Sequence, residues 1–151
     1  VSLHGLEGLE EVVGELAIGF NLALPDLQAL ANLKQVGYLS IYQNQSLVSL
    51  AGLEGLTTVI GTVSINDNLK LIDLSGLSGM TQVGAIYFNK NQSLSALVGL
   101  QLASVTGDIR FSWNPSLPNC TAQQFIAGVA SIGGLGCAEG GFGDACADDC
   151  P

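Results

Sequence analysis

Few residues in this chain can do chemistry. The one histidine, His4, stands near the start, and no Ser/His/Asp or Cys/His set can be assembled around it; it reads as solvated. Asp67, Asp108 and Arg110 are the residue types that, with a bound Ca²⁺, cleave acidic polysaccharides, but their pattern does not form a cluster. Glycine-rich stretches lack the G-x-G-x-x-G spacing and the P-loop lysine that cradle phosphates. Glu139, Asp144, Asp148 and Asp149 could chelate Ca²⁺, yet the D-x-[DN]-x-[DN]-G spacing of a calcium loop is missing. No catalytic residue, metal or cofactor is therefore expected, and the chain reads as a non-enzyme. Four basic residues against thirteen acidic ones cannot neutralise a phosphate path, which disfavours nucleic acid. No apolar run approaches the length of a membrane span, so direct membrane insertion is not expected either.

The cysteines carry a different message. All four lie late, Cys120, Cys137, Cys146 and Cys150, in a glycine-rich terminal stretch. An even, clustered count predicts two disulfides and an oxidising compartment, hence a secreted or cell-surface protein. Three pairings are possible; Cys120–Cys137 with Cys146–Cys150 is the favoured one. There is no C-x-x-C pair to suggest zinc. Three triplets fit N-glycosylation, at Asn44, Asn91 and Asn119.

The element that must position everything is a repeat. Gly37 to Val59 reads G-x-L-x-I-x-x-N-x-x-L-x-x-L-x-G-L-x-x-L-x-x-V, and copies start at Gly14, Gly37, Gly61, Gly84 and Gly107. The spacing is 23 residues except for one 24, attributed to Ile60 at the end of the second copy. A fixed period in the twenties signals a solenoid. The opening G-x-L-x-I alternates as a half-buried strand does. Its inward pairs are Leu16/Ile18, Leu39/Ile41, Val63/Ile65, Ile86/Phe88 and Ile109/Phe111. The apolar spacing then becomes three (Leu47, Leu50, Leu53, Leu56, Val59), which suits short turn-like segments bending round a core. The fourth copy drifts near Leu100, Leu102 and Val105, where a local bulge is expected. Glycine at each strand start suits a tight or positive-φ corner. Asn21, Asn44, Asn68, Asn91 and Asn114 recur in phase, and a column of side-chain amides can bond to itself and to the bend backbone. That ladder would bury Asn44 and Asn91 and spare only Asn119 for glycosylation.

This G-x-[LI]-x-[IF]-x-x-N-x-x-L-x-x-L-x-x-L pattern resembles the receptor L domain of insulin-receptor-type and epidermal-growth-factor-receptor-type ectodomains, which is related to the leucine-rich repeat. Cell-wall glycoproteins of fungi carry a similar domain. The resemblance runs from about Leu3 to Leu117. It implies an all-β fold: a right-handed, single-stranded parallel β-helix or leucine-rich-repeat-like solenoid of about five 23-residue turns. None of that family's ligand contacts can be carried over, because they lie on variable surface positions.

The domain expectation follows. Residues 1–134 form the solenoid: 1–13 a partial first turn, 14–117 the repeats, 118–134 a capping helix. Thr121 would be its N-cap and Gln124 its N3 partner; Phe125, Ile126 and Val129 would be its apolar face, and Gly133-Gly134 its end. The cap would be disulfide-bonded. Residues 135–151 are a Gly/Asp/Cys-rich tail. The chain starts inside a repeat, so a mature product or an excised piece is expected.

The surface that could act is the outward strand face. Tyr38, Tyr42 and Tyr87 should point outward, Phe20 and Trp113 should sit at the bend, and Arg110 lies among them. Exposed aromatics with adaptable polar neighbours are what protein and glycan contacts use. The expected role is recognition or adhesion, with a protein or glycan at a cell surface as partner. The alternative is a structural protein that stacks with copies of itself end to end through its open N-terminal turn. The acids Glu7, Glu10, Glu11 and Glu15 at one end and those of the tail at the other account for most of a net charge of −9.

Overall fold

A computed structural model describes residues 2–138. In chain order the elements are β1 (Glu11–Gly19), β2 (Gln35–Tyr42), β3 (Thr58–Asn66), β4 (Gln82–Asn89), β5 (Ser104–Val105), β6 (Ile109–Ser112), α1 (Asn119–Gly128), β7 (Ser131–Ile132) and β8 (Gly136–Ala138). The regular structure among the described residues is thus mostly strand, with one α-helix. All eight strands belong to one sheet, and every pairing in it is parallel. Each strand lies beside the next in sequence through β1, β2, β3 and β4.

The register aligns the apolar columns. Leu16 pairs with Leu39, Leu39 with Val63, Val63 with Ile86 and Ile86 with Ile109. Leu39, Ile41, Val63, Ile65, Ile86 and Phe88 are fully buried. Between strands, leucines at every third position turn inward because the backbone makes successive i→i+3 bonds. The N–H of Leu53 donates to the Leu50 carbonyl at 3.1 Å and that of Leu56 to Leu53 at 3.0 Å. Such turns bring side chains at i and i+3 into line. Two of them, Gln28–Leu30 and Ser75–Leu77, are full 3₁₀ turns.

The strands begin earlier than the alternation alone implies. Val12, Val36, Val59 and Val83 open them and pair in register, and Val36, Val59 and Val83 are buried. A bulge then separates this first half from the second. Chain length varies at that bulge: Val59 to Val63 takes one residue more than Val36 to Leu39. Ile60 therefore sits inside β3, 63% exposed, and not at the end of the preceding copy. The strand-start glycines, expected to make a tight or positive-φ corner, have no positive φ among them. A Cβ on Gly37 or Gly84 would run into a carbonyl oxygen of the preceding strand, so glycine is needed there for close backbone approach. The irregular fourth copy ends as a broken strand, β5 and β6 with Thr106–Asp108 between them, while Leu100, Leu102 and Val105 stay buried.

The helix departs from expectation too. It starts at Asn119 with Pro118 as N-cap, and no side chain caps it. Thr121 is inside its first turn and donates its N–H to the Pro118 carbonyl, so the helix begins before the expected Thr/Gln box. The helix ends at Gly128. Ala122 and Val129 are buried, Phe125 and Ile126 pack half-buried on the core, and Phe125 meets Phe111 edge-on at 5.9 Å. Gly133 and Gly134 are not its end: they link β7, which pairs with β5, to β8, which pairs with β6. Residues 136–138 extend the sheet, so the tail proposed from 135 onward begins later. Residues 139–151 lie outside the described residues.

Candidate recognition surface

Because side chains alternate along a strand, the face opposite the core is set by the same register. Its columns read Ala17, Ser40, Ser64, Tyr87, Arg110, then Gly19, Tyr42, Asn66, Asn89, Ser112, preceded at the bulge by the pairs Glu15–Tyr38 and Thr62–Ala85, of which Ala85 is buried. The residues expected to act lie on this face or its rim, but in three separate groups.

The first group is at the start of the sheet. Tyr42 lies face-on over Gly19, where any Cβ would enter its ring. Phe20 meets it edge-on, ring centroids 5.2 Å apart and planes at 87°. Four residues back on β2, Tyr38 is 55% exposed and lies in the same manner over Gly61 of β3. Both glycines were missed as site residues. Gly19 stands in register beside Tyr42, the arrangement by which an aromatic shields an open strand backbone, whereas Gly61 lies at the β3 bulge; neither seat shows until the register is known.

The second group is at the other side of the sheet. The guanidinium of Arg110 reaches the Asp108 carboxylate at 2.9 Å through Nη2 and 3.2 Å through Nε, and lies 5.9 Å from the Tyr87 ring centre. The Tyr87 hydroxyl stands 3.5 Å from the same carboxylate. Asp108 also accepts the Leu135 N–H at 2.9 Å. That backbone N–H first, and Arg110 second, hold its carboxyl below the ordinary range. Tyr87 and Arg110 are thus engaged with the protein, half-buried and exposed respectively.

The third group is the rim. Phe20, Gln43, Asp67, Lys90 and Trp113 all have φ between 53° and 59°. This is the left-handed conformation expected of the strand-start glycines, and it falls instead on the residue before each ladder asparagine. The conformation is held in place: Phe20, Gln43, Asp67 and Lys90 each donate a backbone N–H to the carbonyl at the end of the next strand, at 2.9–3.1 Å. Phe20 and Trp113, 68% and 49% exposed, stand at opposite ends of this row. Gln43 bonds to Asp67 at 3.1 Å.

Behind the rim the asparagines form a continuous amide column. The side-chain oxygen of Asn68 accepts both the N–H and the Nδ2–H of Asn44, and Asn91 serves Asn68 in the same way. Each Nδ2 also donates to a strand-end carbonyl, Asn44 to Ile18 and Asn68 to Ile41. No buried side-chain N or O lacks a partner among the described residues. Asn44 and Asn91 are fully buried, whereas Asn119 is exposed at the start of α1.

The other chemical candidates stay apart. Asp67 stands after the last residue of β3, whereas Asp108 and Arg110 flank the start of β6, at the opposite end of the strands. His4 Nδ1 contacts the Glu7 carboxylate at 2.7 Å on an exposed turn. Among the described residues no group of three His, Cys, Asp or Glu could hold a metal ion, and no helix is long and apolar enough to cross a membrane. Cys120 and Cys137 are both disulfide-bonded; Cys146 and Cys150 lie outside the described residues, as do the tail acids. Compared with protein families, with curated proteins and with solved structures, the chain matches none.

Proposed function

We propose that this chain is a non-enzymatic recognition or adhesion module acting outside the cell, and that it binds protein or glycan through its outward strand face. We read the fold as a right-handed, single-stranded parallel solenoid of the receptor L-domain type. The reading of the fold rests on parallel strands stepped by 23 or 24 residues, on the amide column and on the Leu-x-x-Leu turns between strands. The functional reading is carried by one observation: a sheet whose inner face is sealed by core presents, on its outer face and rim, exposed Tyr38, Phe20 and Trp113 amid amides and hydroxyls. Disulfide-bonded Cys120 and Cys137 support an oxidising compartment. The pairing Cys120–Cys137 with Cys146–Cys150 belongs to this proposal, and peptide mapping without reduction checks it.

The test is binding of the whole protein to panels of glycans and of extracellular proteins. Saturable binding that falls at least tenfold in a Tyr38→Ser/Trp113→Ser variant of unchanged melting temperature is the expected result. Binding unaffected by that change would remove the outward face from the account.

A second reading, end-to-end stacking of copies, has one observation in its favour. β1 is an edge strand of nine residues, and the amide column stops at Asn21 beside it. Leu3, Leu9, Val12 and Leu16, partly exposed, mark the same end. Charge argues against stacking: Glu7, Glu10, Glu11 and Glu15 lie at this end, and a tail with four acids follows the other. Rods that dissolve when Leu3 and Leu6 become charged would reverse the ranking.

A further inference from the structure

We infer that the ligand of the outward face is a neutral linear glycan, stacked on Tyr38 and Tyr42, and that Gly61 and Gly19 are the residues that hold these two rings in the stacking position. The inference rests on the proposed role of the face and names its ligand class.

The tyrosines of β2 are plates. Tyr38 and Tyr42 leave the sheet on the same side, about 13 Å apart along the strand. Each ring lies flat on a glycine of a neighbouring strand, Tyr42 toward β1 and Tyr38 toward β3. A ring laid flat on backbone turns its opposite face outward. Neither hydroxyl makes a hydrogen bond among the described residues, in contrast to Tyr87, which is engaged with Asp108 beneath Arg110. Between the plates Ser40 faces outward, and beside it Ser64 accepts the Asn66 amide at 2.6 Å. A pyranose ring offers an apolar C–H face and a rim of hydroxyls. Tyr38, 55% exposed, and half-buried Tyr42 with Phe20 against it, separated by hydroxyl and amide groups at sheet spacing, match that chemistry along a linear chain of sugars.

Charge selects the class. The chain carries −9 overall, and Glu15 pairs in register with Tyr38 itself. Anionic polysaccharides are repelled, whereas a neutral one loses little solvation on docking. A partner protein would be expected to need a larger apolar centre than two separated plates supply.

The glycines give the inference its own test. An alanine at Gly61 or Gly19 meets a tyrosine ring first and not backbone, and the ring can swing away while the strand stays paired. The experiment is calorimetric titration of the whole protein with hexasaccharides of β-1,3-glucose, β-1,4-glucose and β-1,4-N-acetylglucosamine, with an anionic hexauronate as comparison. At least one neutral hexasaccharide should bind and the hexauronate should not. Tyr38→Ala and Tyr42→Ala should each weaken binding by about tenfold. Gly61→Ala should weaken it comparably with an unchanged melting temperature. In a Tyr38→Ala background Gly61→Ala should have no further effect, which a merely structural glycine would not produce. Equal binding by Gly61→Ala and the parent overturns the seating role. If no neutral glycan binds while a protein partner does, and the tyrosine variants weaken that partner, the ligand class is wrong and the proposed face survives. If a ligand binds the Tyr38→Ala and Tyr42→Ala variants as it binds the parent, the stacking site falls; the outward face falls with it only if Trp113→Ser also leaves binding unchanged.

Discussion

Single residues hold this molecule together in two ways that solution work can separate. Asn68 is fully buried and uses its whole amide: Nδ2 donates to the Ile41 and Asn66 carbonyls, and the oxygen receives two donors from Asn44. Asn68→Ala leaves a buried carbonyl and a buried N–H unpaired, and should cost about 2–4 kcal/mol in a urea unfolding series. Asn21→Ala, at the half-buried end of the column, should cost clearly less. Equal costs would mean that the column does not act as a ladder. Asp108 tests the other kind of contact. Its folded pKa lies below its unfolded value near 3.8, owing first to the Leu135 N–H and then to Arg110. Stability from this group is complete above the unfolded pKa and is lost as pH falls through the folded one. As pH falls below the unfolded value, the urea midpoint of the parent should therefore fall more steeply than that of Asp108→Asn; parallel slopes would contradict the assignment. The asparagines were legible because their spacing locks to the strand. The glycine seats were not, because a glycine in a strand looks like a flaw until its neighbour in register is known.

Elements show where periodicity informs and where it misleads. The inward columns of β1, β2, β3, β4 and β6 follow directly from the alternation of Leu, Ile, Val and Phe, since a one-residue slip would put every apolar group in water. The first halves of the strands were hidden, because Val36 and Val59 sit three residues beyond a leucine, and Val83 three beyond Met80, and so read as one more turn. The left-handed residues were hidden for a different reason. Phe20 and Trp113 are not turn formers, and only the bond from Phe20 N–H to the Tyr42 carbonyl explains why the chain bends there. That bend carries a cost of about 1–2 kcal/mol for a residue with a Cβ. Lys90→Gly should accordingly raise stability by about 1 kcal/mol, net of the extra freedom of glycine when unfolded, while Lys90→Ala should not. Thermal and urea unfolding of the pair checks this. β7 and β8 escaped notice because α1 lengthens the step from β6 to β8 to 27 residues, which breaks the period just where glycine content rises.

At the scale of the molecule, one sheet face is closed by leucine and the other left open, and the account assigns function to the open one. The alternative puts function in the ends. A molecule that recognises through its face should work as separate copies; one that assembles should not. The acidic residues at the edge strand favour separate copies, most strongly at low salt, where like charges act over the longest range. Mass by light scattering, with shape by negative-stain microscopy, over a wide concentration range at low and at physiological salt decides between them. Recognition through the face gives the mass of one chain, 15.5 kDa before any glycan, and compact single particles throughout. Rods or filaments that lengthen with concentration would contradict it, and would move the function from the tyrosine-bearing face to the open edge of β1.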